Sequence, residues 1–163
     1  MASGDTLVVF TPLHHEPPAS NPATLDTRNG HPVLDFSDSV IQTAYFSGVM
    51  PQHYSGGGVT VYLHWAASTA TTGDIDWGVA FERIGDQQQD LDSDGFAASN
   101  QGDNNTVPAT AGLVDIVSVA FTDGADMDSV AAGESFRMFV RRDSASDTAS
   151  GDAELVKVEI RET

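Results

Sequence analysis

Two stretches decide the fold: VTVYLHW at residues 59–65 and DIDWGVAFE at residues 74–82. In the first, Val59, Val61, Leu63 and Trp65 alternate with Thr60, Tyr62 and His64. In the second, Ile75, Trp77, Val79 and Phe81 alternate with Asp74, Asp76, Gly78, Ala80 and Glu82. Successive side chains of a β-strand point to opposite faces, so an apolar–polar rhythm of two marks a strand with one face on a core. The polar Ser68–Gly73 segment between them predicts an antiparallel hairpin.

The same rhythm recurs outward from this pair. Thr6–Phe10, Pro32–Phe36, Val40–Val49, Leu113–Phe121, Ser135–Arg142 and Leu155–Arg161 all read as short strands, about eight in total, separated by turn signals. Asp126–Ala132, bracketed by Gly124 and Gly133, is the one candidate for a helical turn. Pro12–Asn29 carries Pro12, Pro17, Pro18 and Pro22, and predicts an extended N-terminal arm over residues 1–29 ahead of a single β domain over 30–163. Gly85–Pro108 reads as one long polar loop, and loops of that length are often functional. Asp143–Asp152 reads as a polar hairpin tip. Short strands joined by long connections favour an all-β, two-sheet antiparallel jelly roll over an up-and-down barrel, with an immunoglobulin-like sandwich as the alternative.

Composition narrows the function. The chain has 163 residues and no cysteine, which removes disulfides, thiolate metal sites and cysteine nucleophiles. No apolar run approaches the length of a membrane span, and the first residues lack the basic and apolar regions of a cleaved signal. There are 24 acidic and 7 basic side chains, a net charge of −17. That field repels phosphate and anionic lipid, so neither nucleic acid nor a membrane is expected as a partner. It suits solubility in a crowded or salty setting, or attraction to a basic surface or to divalent cations.

The sharpest motif is Asp90, Asp92 and Asp94 followed by Gly95, the first half of a calcium loop. Its twelfth position is Gln101 where an EF-hand needs a bidentate glutamate, which excludes an EF-hand. A looser calcium site on Asp90, Asp92 and Asp94 stands against a plain solvated acidic loop. The histidines His14, His15, His31, His53 and His64 show no zinc spacing. No serine occupies a nucleophile elbow, and Gly56–Gly58 precedes a strand rather than a helix, which rules out a phosphate loop. No catalytic residue and no cofactor beyond calcium is expected, so the protein reads as a non-enzyme. Trp65 and Trp77 fall in phase with the apolar faces and are assigned to the core, while Tyr62, His64 and Phe139 point outward and are candidates to meet a partner.

The runs YFSGVMPQHYSGGGVTVYLHWAAS (45–68), DIDWGVAFERIGD (74–86), DLDSDGFA (90–97) and GDAELVKVEIRET (151–163) resemble small virion-associated proteins of tailed bacteriophages. The resemblance implies a location on the virus particle and, within that setting, a capsid decoration (cement) protein, a trimeric jelly roll that binds the major capsid protein. On this reading Leu7, Phe10 and Leu13 of the arm, with Tyr62, His64 and Phe139, carry the contact, and removing residues 1–29 leaves the β domain folded. The alternatives are a receptor- or glycan-binding tail-fibre module shaped by the 85–108 loop, and a subunit of another self-assembling tube or filament.

Overall fold

The computed structural model describes residues 4–163. Its strands are β1 (Thr6–Phe10), β2 (Thr24–Arg28), β3 (His31–Phe36), β4 (Thr43–Val49), β5 (Val59–Ala67), β6 (Asp74–Ile84), β7 (Asn100–Thr106), β8 (Val114–Phe121), β9 (Ser135–Arg142) and β10 (Ala153–Glu162). They form two antiparallel sheets. The first has the order β2-β3-β10-β5-β8, with β1 also paired to β10, and the second has the order β4-β9-β6-β7. This is the all-β jelly-roll sandwich that the alternation predicts. The inner faces meet in one core, where Trp65, Trp77, Phe36, Phe46, Phe81 and Phe136 are all buried. Each such side chain contributes up to ~3 kcal/mol by area.

The expected hairpin does not form. β5 pairs with β10 and β8, whereas β6 pairs with β9 and β7, so the 68–73 loop carries the chain from one sheet to the other. Alternation reports which face of a strand is buried and is silent on its partner. The two apolar faces still meet, across the core: the Trp65 and Trp77 rings lie 6.2 Å apart. The 143–152 segment, expected as a hairpin tip, likewise crosses between sheets. The helical turn shrinks to a 3-10 turn at Ala125–Met127, and the strand expected from Val40 begins at Thr43.

The extended arm is also corrected, as far as residues 4–29 are described. β1 pairs with β10 in register Val9 with Glu159 and Phe10 with Val158. Glu16 bridges to Tyr45 and Pro22 to Thr43, and β2 pairs with β3 along its length. The prolines cluster in the connection between β1 and β2, where missing donors cost nothing. Phe10 is buried, stacked on Phe46 at 5.3 Å and edge-on to Phe136 at 6.4 Å. This segment is therefore part of the sandwich.

The 85–108 loop is shorter than expected, because Asn100–Thr106 pairs with β6 as an edge strand. Gly58, next to the Gly56–Gly57 turn, has φ of 92°, and a Cβ there would lie 2.5 Å from the Phe121 carbonyl. Only glycine lets the chain enter β5 this close to the end of β8.

Candidate functional site

The partner-facing residues expected from the sequence are scattered over the molecule. Leu7 is half-buried against the core, Phe10 is inside it, and Leu13 stands out from the 3-10 turn at Pro12–His14. Tyr62 and His64 do face outward from β5, but the first sheet occupies both. The Arg161 guanidinium lies 4.2 Å from the centre of the Tyr62 ring. His64 Nε2 sits 3.9 Å from Glu159, yet burial lowers its pKa against the pull of that carboxylate, so the ring stays neutral at neutral pH. Phe139 points outward from the second sheet, the opposite side of the sandwich. The six residues therefore cannot form one contact surface.

Asp90, Asp92 and Asp94 lie on an exposed turn. The Asp90 side chain accepts from the Asp92 amide at 3.0 Å, and its carbonyl accepts from the Asp94 amide at 2.8 Å. Among the described residues no three carboxylates or imidazoles gather to hold a metal ion.

The first sheet carries a cleft of about 410 Å³ on its outer side, between the β2–β3 hairpin and β8. Arg28 and His31 rim it, and Val33, Ala66, Val114 and Val156 give it an apolar floor. Arg28 bonds Glu154 at 2.5 Å in its wall. No Phe, Tyr or Trp ring lines it. Just beyond, Asp35 faces Glu154 across β3 and β10. Burial, then the neighbouring Glu154, Asp26 and Asp152 carboxylates, push the Asp35 carboxyl up to about 6, with Arg28 opposing.

The outer face of the second sheet holds a different group of side chains. Tyr45 on β4, Arg137, Phe139 and Arg141 on β9, and the small residues Gly78 and Ala80 on β6 share this face by strand register. The loop between β6 and β7 folds back over it. Ala97 donates its amide to the Phe81 carbonyl at 2.9 Å, which brings Phe96 over the sheet. Phe96 packs edge-on to Phe139 at 4.9 Å and against Tyr45 at 5.2 Å. The Arg137 guanidinium sits between two rings, 4.9 Å from Tyr45 and 4.8 Å from Phe96, while its Nε bonds the buried Glu82 at 2.7 Å. Arg141 lies 5.5 Å from the Phe139 ring and flat over Gly78, where an added Cβ would meet its Nε at 3.1 Å. The three rings and both arginines are half-buried, so each keeps part of its surface in solvent.

Such a strip offers flat apolar ring faces beside fixed hydrogen-bond donors, which suits a ligand with apolar patches ringed by acceptors. Phe139 was identifiable from its outward phase on β9. Phe96 shows no strand phase, and its signal is that it is the lone aromatic in the polar 85–108 stretch, a ring that must find a surface to cover. Arg137 and Arg141 flank Phe139 at two-residue spacing, and that alternation could have placed them on one face.

No protein-family model matches the sequence, and no curated protein matches it. Among solved structures, the fold is similar to a xylan-binding module, CBM15, with a TM-score of 0.50 and 10% identity over 96% of this chain and 97% of that one. It is also similar to the carbohydrate-binding module CBM6cm-2 of Cellvibrio mixtus lichenase 5A, with a TM-score of 0.42 and 12% identity over 98% and 99% of the two chains. A chain of the infectious bursal disease virus Gx strain gives a TM-score of 0.42 and 11% identity over 99% of this chain and 33% of that one. At 10% identity the likeness to the xylan-binding module bears on the jelly-roll sandwich fold alone.

Proposed function

We propose that the protein is a non-catalytic glycan-binding module that receives its ligand on the outer face of the second sheet. The observation that carries this reading is the half-exposed ring group of Tyr45, Phe96 and Phe139 with Arg137 held between two of the rings. A pyranose presents apolar C–H faces that cover aromatic rings and hydroxyls that accept from guanidinium. The full-length fold likeness to a xylan-binding module supports the reading at the level of architecture. In the phage setting that the sequence resemblance implies, such a module belongs at the tail, where a virion meets host surface polysaccharide.

The test is affinity electrophoresis through gels holding xylan, β-glucan or bacterial surface polysaccharide. At least one is expected to retard the protein. Phe96→Ala is expected to weaken that retardation about tenfold, since ~60 Å² of ring surface at ~25 cal/mol/Å² is worth about 1.5 kcal/mol. Equal retardation of wild type and variant would remove the ring group from the reading.

A capsid-decoration role draws support from a different place. Leu113, Val114 and Ile116 lie exposed on and beside β8, the edge strand of the first sheet. An apolar edge of this kind suits a protein partner such as the major capsid protein. Copy number separates the two roles: hundreds per particle mark decoration, and a few mark a tail tip.

A further inference from the structure

The arginines of this acidic chain are almost all spoken for. Arg28 holds Glu154, Arg83 holds Glu134, Arg137 holds Glu82, Arg142 holds Asp147 and Arg161 holds Glu159. Among the described residues Arg141 is the one arginine with no carboxylate in reach. Its sole hydrogen-bond partner is the Ser99 hydroxyl, at the long distance of 3.5 Å from Nη2. Its Nε is buried and has no acceptor at all. A guanidinium is a fixed fork of donors, and a buried donor left unmade is costly.

The surroundings hold Arg141 in place rather than satisfy it. Gly78 leaves the space in which the side chain lies, Gln101 flanks that space from β7, and Phe139 borders it on β9. Carboxylates are present farther along the same strands, at Asp76, Asp103 and Asp143, and they crowd one another. None of them reaches Arg141.

We infer that Arg141 is the specificity residue of this face and selects a sugar bearing an oxyanion, either the carboxylate of a uronic acid or a sulfate. Such a group accepts two parallel N–H bonds from the two terminal nitrogens of a guanidinium, the part of Arg141 that is not sealed off as Nε is. The adjacent rings and Arg137 hold the rest of the sugar. The net charge of −17 opposes the approach of an anion at long range, but charges farther than about 8 Å away are screened at physiological salt while the direct contact is not.

The inference rests on the glycan-binding reading, and its test separates the two. Calorimetric titration of the full chain at about 0.15 M salt uses neutral cellohexaose and xylohexaose against an oligomannuronate and a sulfated carrageenan oligomer. At least one anionic oligomer is expected to bind about tenfold or more tightly than the neutral ones, and the one that does so identifies the oxyanion. Arg141→Gln is expected to abolish that preference, weakening anionic binding about tenfold or more and neutral binding by a smaller factor. Gly78→Ala, which pushes the guanidinium aside, is expected to reduce the preference without removing the charge. Equal binding of neutral and anionic oligomers, or a preference that survives Arg141→Gln, overturns the role of Arg141 and leaves the glycan reading intact. Failure of all four oligomers to bind overturns the role of Arg141, and together with no retardation in any of the polysaccharide gels it overturns the glycan reading as well.

Discussion

Asp35 shows what a single carboxylate does when the fold crowds it. Its carboxyl is pushed up to about 6 from 3.8, by burial first and by Glu154, Asp26 and Asp152 after it. One side-chain oxygen is buried without a partner. An acid whose pKa is raised by folding favours the folded state while protonated, and that contribution is lost as pH rises from 3.8 through about 6. Asp35→Asn keeps the shape and removes the charge. Its melting temperature is expected to match the wild type in acid and to exceed it increasingly as pH climbs through that window, as read by thermal denaturation across pH. Arg142 is the opposite case. Its side chain and that of Asp147 are 0% and 2% exposed, and they bond at 2.5 Å. Arg142 also donates to the carbonyls of Phe36, Ala149 and Gly151. Arg142→Met strands a buried carboxylate and is expected to cost ~3–5 kcal/mol in urea denaturation, part of which Asp147→Leu in the same chain restores. From sequence alone Arg142 is one more polar residue at a strand end, because an ion pair depends on which loop folds over it.

At the scale of the element, legibility followed burial. β5, β6 and β9 bury one full face, so their alternation was plain in the residues. β2 (TLDTR) and β7 (NQGDNNT) are polar edge strands with almost nothing inside, and hydrophobic rhythm cannot report a strand that has no hydrophobic side. On β6, Asp76, Ala80 and Glu82 were placed outward, yet they too are buried. Sequence phase gives direction, and the covering of an outer face by a distant loop is tertiary. The same blindness made the segment ahead of β3 look detached. Its folded state has a consequence: removing residues 1–29 takes away β1, β2 and the buried Phe10 ring. Loss of that ring alone costs ~3–5 kcal/mol in a fold that holds ~5–15. The truncated chain is expected to lose its cooperative thermal transition by circular dichroism, whereas a detached arm would leave the transition in place.

Across the whole molecule, the ring group on the second sheet joins residues far apart in sequence: Tyr45, Phe96, Phe139 and Arg141. No local pattern could assemble them, which is why the fold was readable and the site was not. The first sheet is built on a similar long-range dependence. β10, the last strand, lies between β3 and β5 and takes β1 along the stretch that β3 leaves uncovered. During synthesis the three earlier strands leave the ribosome with their shared neighbour still unmade, and their open edges must wait for it. A nascent chain stalled before Ala153 therefore has no centre for that sheet, and it presents to chaperones or to other nascent chains the very edges that the finished protein conceals.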